Sequence, residues 1–71
     1  MENKNLQQYG FFLIKLRKCV NLHLWAETED ELFKYDDRKN YPESKGWRVA
    51  PFFKGDGKEY LQIDGKLVRI K

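Results

Sequence analysis

GWRVAPFFKGDGKEYLQIDGKLVRIK, residues 46–71, is the stretch that decides how this chain folds. Two glycine-marked breaks, Gly55-Asp56-Gly57 and Asp64-Gly65, divide it into three runs of mixed apolar and polar residues. Asp-Gly between such runs is the strongest short-range hairpin signal, so the stretch predicts three consecutive antiparallel strands. With Gly55-Asp56-Gly57 as a three-residue loop, Lys54 faces Lys58, Phe52 faces Tyr60, Ala50 faces Gln62 and Arg48 faces Asp64. Val49 then lies beside Ile63 and Pro51 beside Leu61 on the opposite surface. Across the second turn Leu61 meets Val68 and Tyr60 meets Arg69. One surface of the expected sheet gathers Trp47, Val49, Phe53, Leu61, Ile63, Val68 and Ile70, which is core. The other gathers Arg48, Phe52, Lys54, Lys58, Tyr60, Arg69 and Lys71, which is basic and aromatic.

Upstream, Phe11 to Ala26 also alternates. Seven of its eight even positions are apolar, the period of a strand. Sixteen residues exceed one ordinary strand, and Arg17-Lys18-Cys19 supplies an odd-length loop that preserves the phase. The expected hairpin pairs Leu16 with Val20, Ile14 with Leu22 and Phe12 with Leu24 on one face. Phe11 then pairs with Trp25 and Leu13 with His23 on the other. Leu6, Tyr9, Leu13, Leu16, Val20 and Leu24 also fit a helical stripe, which the interior Gly10 opposes. Thr28-Glu29-Asp30-Glu31 is a capping box, with three acids suited to a helix start and Arg38 and Lys39 suited to its end. The expected helix has about three turns and is broken at Tyr41-Pro42. These elements give one α+β domain of order ββαβββ, a mostly antiparallel sheet with one short helix on one face. Residues 1–8 are expected to form a flexible tail and 9–71 the domain.

The 71 residues leave room for one core and little for a buried catalytic cleft. Apolar content of 41% excludes wholesale disorder. A single cysteine, Cys19, excludes an internal disulfide and fits a reducing compartment. No apolar run is long enough to span a bilayer, and Met1-Glu2-Asn3-Lys4 leads into no signal-peptide core. The expectation is a cytoplasmic protein without membrane contact. The net charge of +3 is unevenly spread: residues 29–44 hold six acids against three bases, and residues 45–71 seven bases against three acids. Such asymmetry points to a polyanion or an acidic partner surface.

Catalytic and metal chemistry find little to work with. His23 is the only histidine and Cys19 the only cysteine, too few for a structural zinc site. Glu29-Asp30-Glu31 and Asp36-Asp37 hold carboxylates, but neighbouring helix residues point apart and the helix dipole already accounts for the first group. Ser44 has no histidine near it in sequence, and Cys19 and His23 converge only if residues 9–25 are helical. Lys54-Gly55-Asp56-Gly57-Lys58 lacks phosphate-loop spacing and opens no helix. No catalytic residue, metal or cofactor is expected.

What remains is binding. Phosphates are neutralised by cations, and single-strand binders add rings on which bases stack. Arg48, Lys54, Lys58 and Arg69 supply the first and Phe52 with Tyr60 the second, with Lys15, Arg17 and Lys18 at the basic hairpin tip as further contacts. The alternative is docking on a protein through Phe11, Trp25 and Tyr35, since aromatic anchors dominate interface energetics. Two resemblances bear on this choice. Residues 11–49, with Ala26-Glu27-Thr28, Asp30-Glu31, Tyr41-Pro42 and Gly46-Trp47-Arg48-Val49, resemble the small phage-encoded inhibitor of bacterial RNA polymerase. That family has a hairpin, an acid-capped helix and a strand returning after a glycine; this chain adds a terminal hairpin. Lys54 to Leu61 is similar to the wing of phage excisionases, winged-helix DNA-bending proteins whose wings touch the DNA backbone. Together the resemblances imply a phage or mobile-element protein whose partner is DNA, RNA or a host enzyme such as RNA polymerase.

Overall fold

The computed structural model describes residues 6–34 and 36–71. In chain order it contains β1 (Gln7–Leu16), β2 (Val20–Ala26), α1 (Glu29–Leu32), β3 (Trp47–Gly55), β4 (Lys58–Ile63) and β5 (Lys66–Arg69). Single 3-10 turns at Arg38–Asn40 and Glu43–Lys45 separate α1 from β3. The strands form one antiparallel sheet in the order β2-β1-β3-β4-β5, the expected α+β architecture. β1 starts at Gln7, so the last two residues of the expected tail belong to the sheet. Because β2 and β3 are both antiparallel to β1, they run parallel to each other. Residues 27–46 therefore make a crossover, which carries α1 and both 3-10 turns over one face of the sheet.

Both glycine turns are two-residue turns. Gly55 pairs with Lys58 around Asp56 and Gly57, at φ 54° and 74°, and Ile63 pairs with Lys66 around Asp64 and Gly65, at φ 50° and 85°. Two successive positive φ values make the tight turn whose twist matches the strands it joins. For the second turn the expected register holds: Leu61 pairs with Val68 and Tyr60 with Arg69. For the first, a three-residue loop is one residue too long. Phe52 pairs with Leu61 and Phe53 with Tyr60, and Lys54 faces Glu59 instead of Lys58. A slip of one residue sends every side chain of β3 to the other face of its partner.

The consequence is a correction to the expected core. Phe52 is 6% exposed and packs with Ile14, Ala50, Leu61 and Ile63, with Phe12, Leu16, Val20, Val68 and Ile70 around them. Trp47, Val49 and Phe53 lie on the opposite face. Val20 comes from one edge strand and Val68 from the other, yet both reach the same cluster. Among the described residues no helix covers this face, yet Ile14, Ala50 and Leu61 are fully buried on it, so the sheet curls and its concave side closes on this core. Leu13 and Ile14 are adjacent and 1% and 0% exposed, which requires cover on both sides of β1. Leu32 of α1, 2% exposed, supplies the convex cover over β1 and β2.

Two further expectations are revised. In the β1–β2 hairpin, Leu16 meets Val20 and Ile14 meets Leu22 as read, but a bulge then makes the partners Leu13 with Leu24 and Phe12 with Trp25. His23 is the extra residue, and its ring packs 5.2 Å from Trp47 and 5.9 Å from Tyr41. The helix stops at Leu32, about two turns earlier than the capping box suggested. Thr28 does cap it, accepting from Glu31 N at 3.3 Å. Only Leu32 on α1 is buried, however, and Asp36 and Asp37 bond to nearby backbone and side chains, which competes with continued helix. Gly10, at φ 95°, lets β1 bulge, and a Cβ there would stand 2.5 Å from Ala26 O and 2.8 Å from Trp25 Nε1.

Candidate functional site

The two edges of the sheet are unlike. β5 is four residues long and carries Lys66 and Arg69, charges that keep an edge from pairing with another chain. β2, the other edge, is seven residues long with no lysine, arginine, aspartate or glutamate in it. Leu22, Leu24 and Trp25 on it are 50%, 44% and 47% exposed, and Tyr9 beside it is 46% exposed. Hydrophobic side chains so exposed on an open edge form a template for an added strand.

Local geometry presets this edge. The bulge at Leu13/Ile14 breaks strict alternation, so Leu24 shares the face of Leu13 while Trp25 moves to that of Phe12. The Trp25 indole donates from Nε1 to Tyr9 O at 2.8 Å, which fixes the ring across the glycine bulge at Gly10. An anchor held in one rotamer loses little freedom when a partner covers it. Beneath the other side of β2, His23, Tyr41 and Trp47 form an aromatic cluster, with Tyr41 5.0 Å from Trp47 and Lys15 Nζ 5.1 Å from the Trp47 ring. Asp36 ties that cluster down. Its carboxylate accepts from the Tyr41 hydroxyl, from Asn40 Nδ2 at 2.7 Å and from Asp37 N at 2.9 Å. These bonds, that of Tyr41 first, hold Asp36 below the ordinary carboxylate pKa, and the same bond raises the Tyr41 phenol.

The expected nucleic-acid face does not assemble as read. Phe52 is interior and cannot stack on a base. Lys54 stands at the rim of the concave side, its Nζ 5.4 Å from the Tyr9 ring and 5.7 Å from that of Phe52. Arg48 is engaged in the fold: it pairs with Asp64 at 3.1 Å and donates to Glu43 O and Trp47 O at 3.0 and 2.9 Å. Lys15 rests on Trp47, while Arg17 and Lys18 sit in the exposed β1–β2 loop, at the far end of the β1–β3 ladder from Lys58. Lys58, Tyr60 and Arg69 do share the convex face, with Phe53 in the place expected for Phe52. Of the protein-docking residues, Trp25 is exposed, whereas half-buried Phe11 pairs with Pro51 and Ala26 and lies on the other face from Trp25. Tyr35 lies outside the described residues.

Comparison with protein-family models, curated proteins and solved structures finds no match for this chain. Among the described residues no three or more histidine, cysteine, aspartate or glutamate side chains are grouped to hold a metal, and no helix is long and apolar enough to cross a membrane. A cleft of about 230 Å³ opens beside the aromatic cluster, between Phe33, Tyr41, Trp47 and Arg38. Leu22, Leu24 and Tyr9 were missed as surface residues. The missing charge over residues 20–26 was visible, but its meaning depends on β2 being an edge, which strand order decides.

Proposed function

We propose that the protein is a non-catalytic binding module that docks on a polypeptide partner by strand addition along β2. The observation that carries this reading is the exposure of Leu22, Leu24 and Trp25 on an uncharged sheet edge that pairs with no further strand among the described residues. An incoming strand would satisfy the outward N–H and C=O groups of β2 and cover those three side chains. Each leucine is about half exposed, so covering it contributes about 1 kcal/mol, and the preset indole adds more. For this edge the fitting partner is a polypeptide, because a strand supplies both the backbone groups and the apolar side chains that β2 leaves open.

The test is selection of binders from a random peptide library on the wild-type protein and on Leu22→Lys/Leu24→Glu, which guards the edge without changing net charge. Selected peptides should alternate apolar residues, bind the wild type alone and slow hydrogen exchange of the amides in residues 20–26. Equal binding to the guarded variant, or protection confined to other strands, defeats the reading. Sedimentation at rising concentration shows whether a second copy of the chain fills the same edge.

A further inference from the structure

The crossover covers the convex face over β1 and β2 and leaves it open over β4 and β5. There one rung crosses the sheet: Gln8 pairs with Phe53, Phe53 with Tyr60 and Tyr60 with Arg69, so all four share a face. Lys58, two residues before Tyr60 on the same strand, shares it too. Ile70 N donates to Glu59 O at 2.8 Å and Glu59 N to Lys71 O at 3.0 Å, which draws the chain terminus against the Lys58 end of β4. Arg69 Nε donates to Lys71 O at 3.2 Å, so its guanidinium leans the same way.

Two of the three acids of this hairpin pair are placed elsewhere. Alternation sends Glu59 to the concave side, opposite Lys54, and Asp64 is paired with Arg48 at 3.1 Å, which leaves Asp56, in the turn before Lys58, as the one acid of the three at that end of the sheet. None of the ion pairs among the described residues uses Lys58, Arg69 or Lys71. Three cations thus gather at one end of a rung of rings, and like charges placed together on a sheet repel unless an anion lies between them.

We propose that this surface binds single-stranded nucleic acid, with phosphates on Lys58, Arg69 and Lys71 and a base stacked on Tyr60 beside Phe53. A strand of phosphates matches the cations, and the rings beside them select bases over a plain acidic chain. The site is separate from the β2 edge and does not rest on docking there.

The experiment is fluorescence anisotropy of a labelled oligothymidylate against the wild type, Tyr60→Leu, Arg69→Gln and Lys58→Gln, each checked for folding by circular dichroism. Binding should weaken with salt at a log–log slope of about −2 for three neutralised phosphates, and each charge variant should lower that slope by about 0.7. Tyr60→Leu should weaken binding by roughly 5- to 150-fold, the range for one stacked base, and leave the salt slope unchanged. Leu22→Lys/Leu24→Glu should bind as wild type does. Absence of binding at 50 mM salt, equal competition by polyglutamate, or full affinity in folded Tyr60→Leu and Arg69→Gln overturns the proposal.

Discussion

Phe52 and Phe53 are neighbours in the chain and face opposite sides of the sheet, so truncating each to alanine tests the register directly. Phe52 is 6% exposed, and its ring meets that of Phe12 edge-on, 5.0 Å between centroids at 87°. Removing a buried phenylalanine costs about 3–5 kcal/mol, a range that includes the roughly 0.5–1.5 kcal/mol of an aromatic pair. Phe53 is only partly buried, on the open part of the convex face, and its loss should cost about 1 kcal/mol. A chain of this length has a total stability of about 4–10 kcal/mol. Phe52→Ala should therefore consume most of it and lower Tm by tens of degrees at about 4–8 °C per kcal/mol, against a few degrees for Phe53→Ala. Phe52→Leu, which keeps apolar volume and loses the ring pair, should fall between them and remain folded enough to measure. Urea and thermal unfolding followed by circular dichroism supply the numbers. Equal costs for the two alanine variants, or a larger cost at Phe53, would refute the two-residue turn at Asp56-Gly57 and restore the loop over residues 55–57.

Gly10→Ala should destabilise by several kcal/mol, because the new Cβ meets backbone at 2.5 Å. Gly57→Ala, with nothing within 4 Å, should cost about 1 kcal/mol for its positive φ alone; thermal melts separate the two. Thr28→Ala removes the acceptor for Glu31 N and should cost about 1 kcal/mol, with the loss confined in hydrogen exchange to α1 and its neighbours. The Asp36–Tyr41 bond sets two pH limits. Asp36 has a folded pKa below that of a free carboxylate, so its stabilisation is complete above the free value and is lost as pH falls through the lower folded one. Tyr41 has a folded pKa above 10.0, so its stabilisation is complete below that value and is lost as pH rises through the folded one. Urea midpoints against pH for the wild type and Asp36→Asn should converge at both extremes. A constant gap between them would contradict the bond.

Much of the fold was legible because local chemistry and global pairing agree. Alternation from Phe11 to Ala26 located both strands of the first hairpin, and Thr28 located the helix start. The Asp64-Gly65 turn placed Leu61 on Val68. The two register failures came from counting single residues. The string Gly55-Asp56-Gly57 offers glycine at both ends, so composition does not decide between a two- and a three-residue turn, and the choice inverts β3 against β4. A bulge shifts phase in the same manner, which is why Leu24 and Trp25 landed on faces that alternation had not assigned them. The helix was overestimated because a capping box marks only a beginning; its length depends on an apolar stripe, and α1 buries Leu32 alone.

Strand order explains why the functional surfaces were harder to read than the fold. An apolar strand with neighbours on both sides is core, and the same strand at an edge is an interface, yet the sequence VNLHLWA is identical in the two cases. β2 becomes an edge because the crossover through residues 27–46 inserts β3 on the far side of β1 instead of beside β2. That one topological step also lays α1 over β1 and β2, so that among the described residues no helix covers the convex face of β4 and β5. The same connection therefore exposes an apolar edge and, at the opposite end of the sheet, a basic rung. If the chain used β5 as its docking edge instead, Lys66 and Arg69 would have to lose their hydration against a partner strand, the penalty that keeps charged edges unpaired. On the two proposals, polypeptide contacts fall on β2 and anion contacts on β4 and β5, so variants at either surface should leave binding at the other intact.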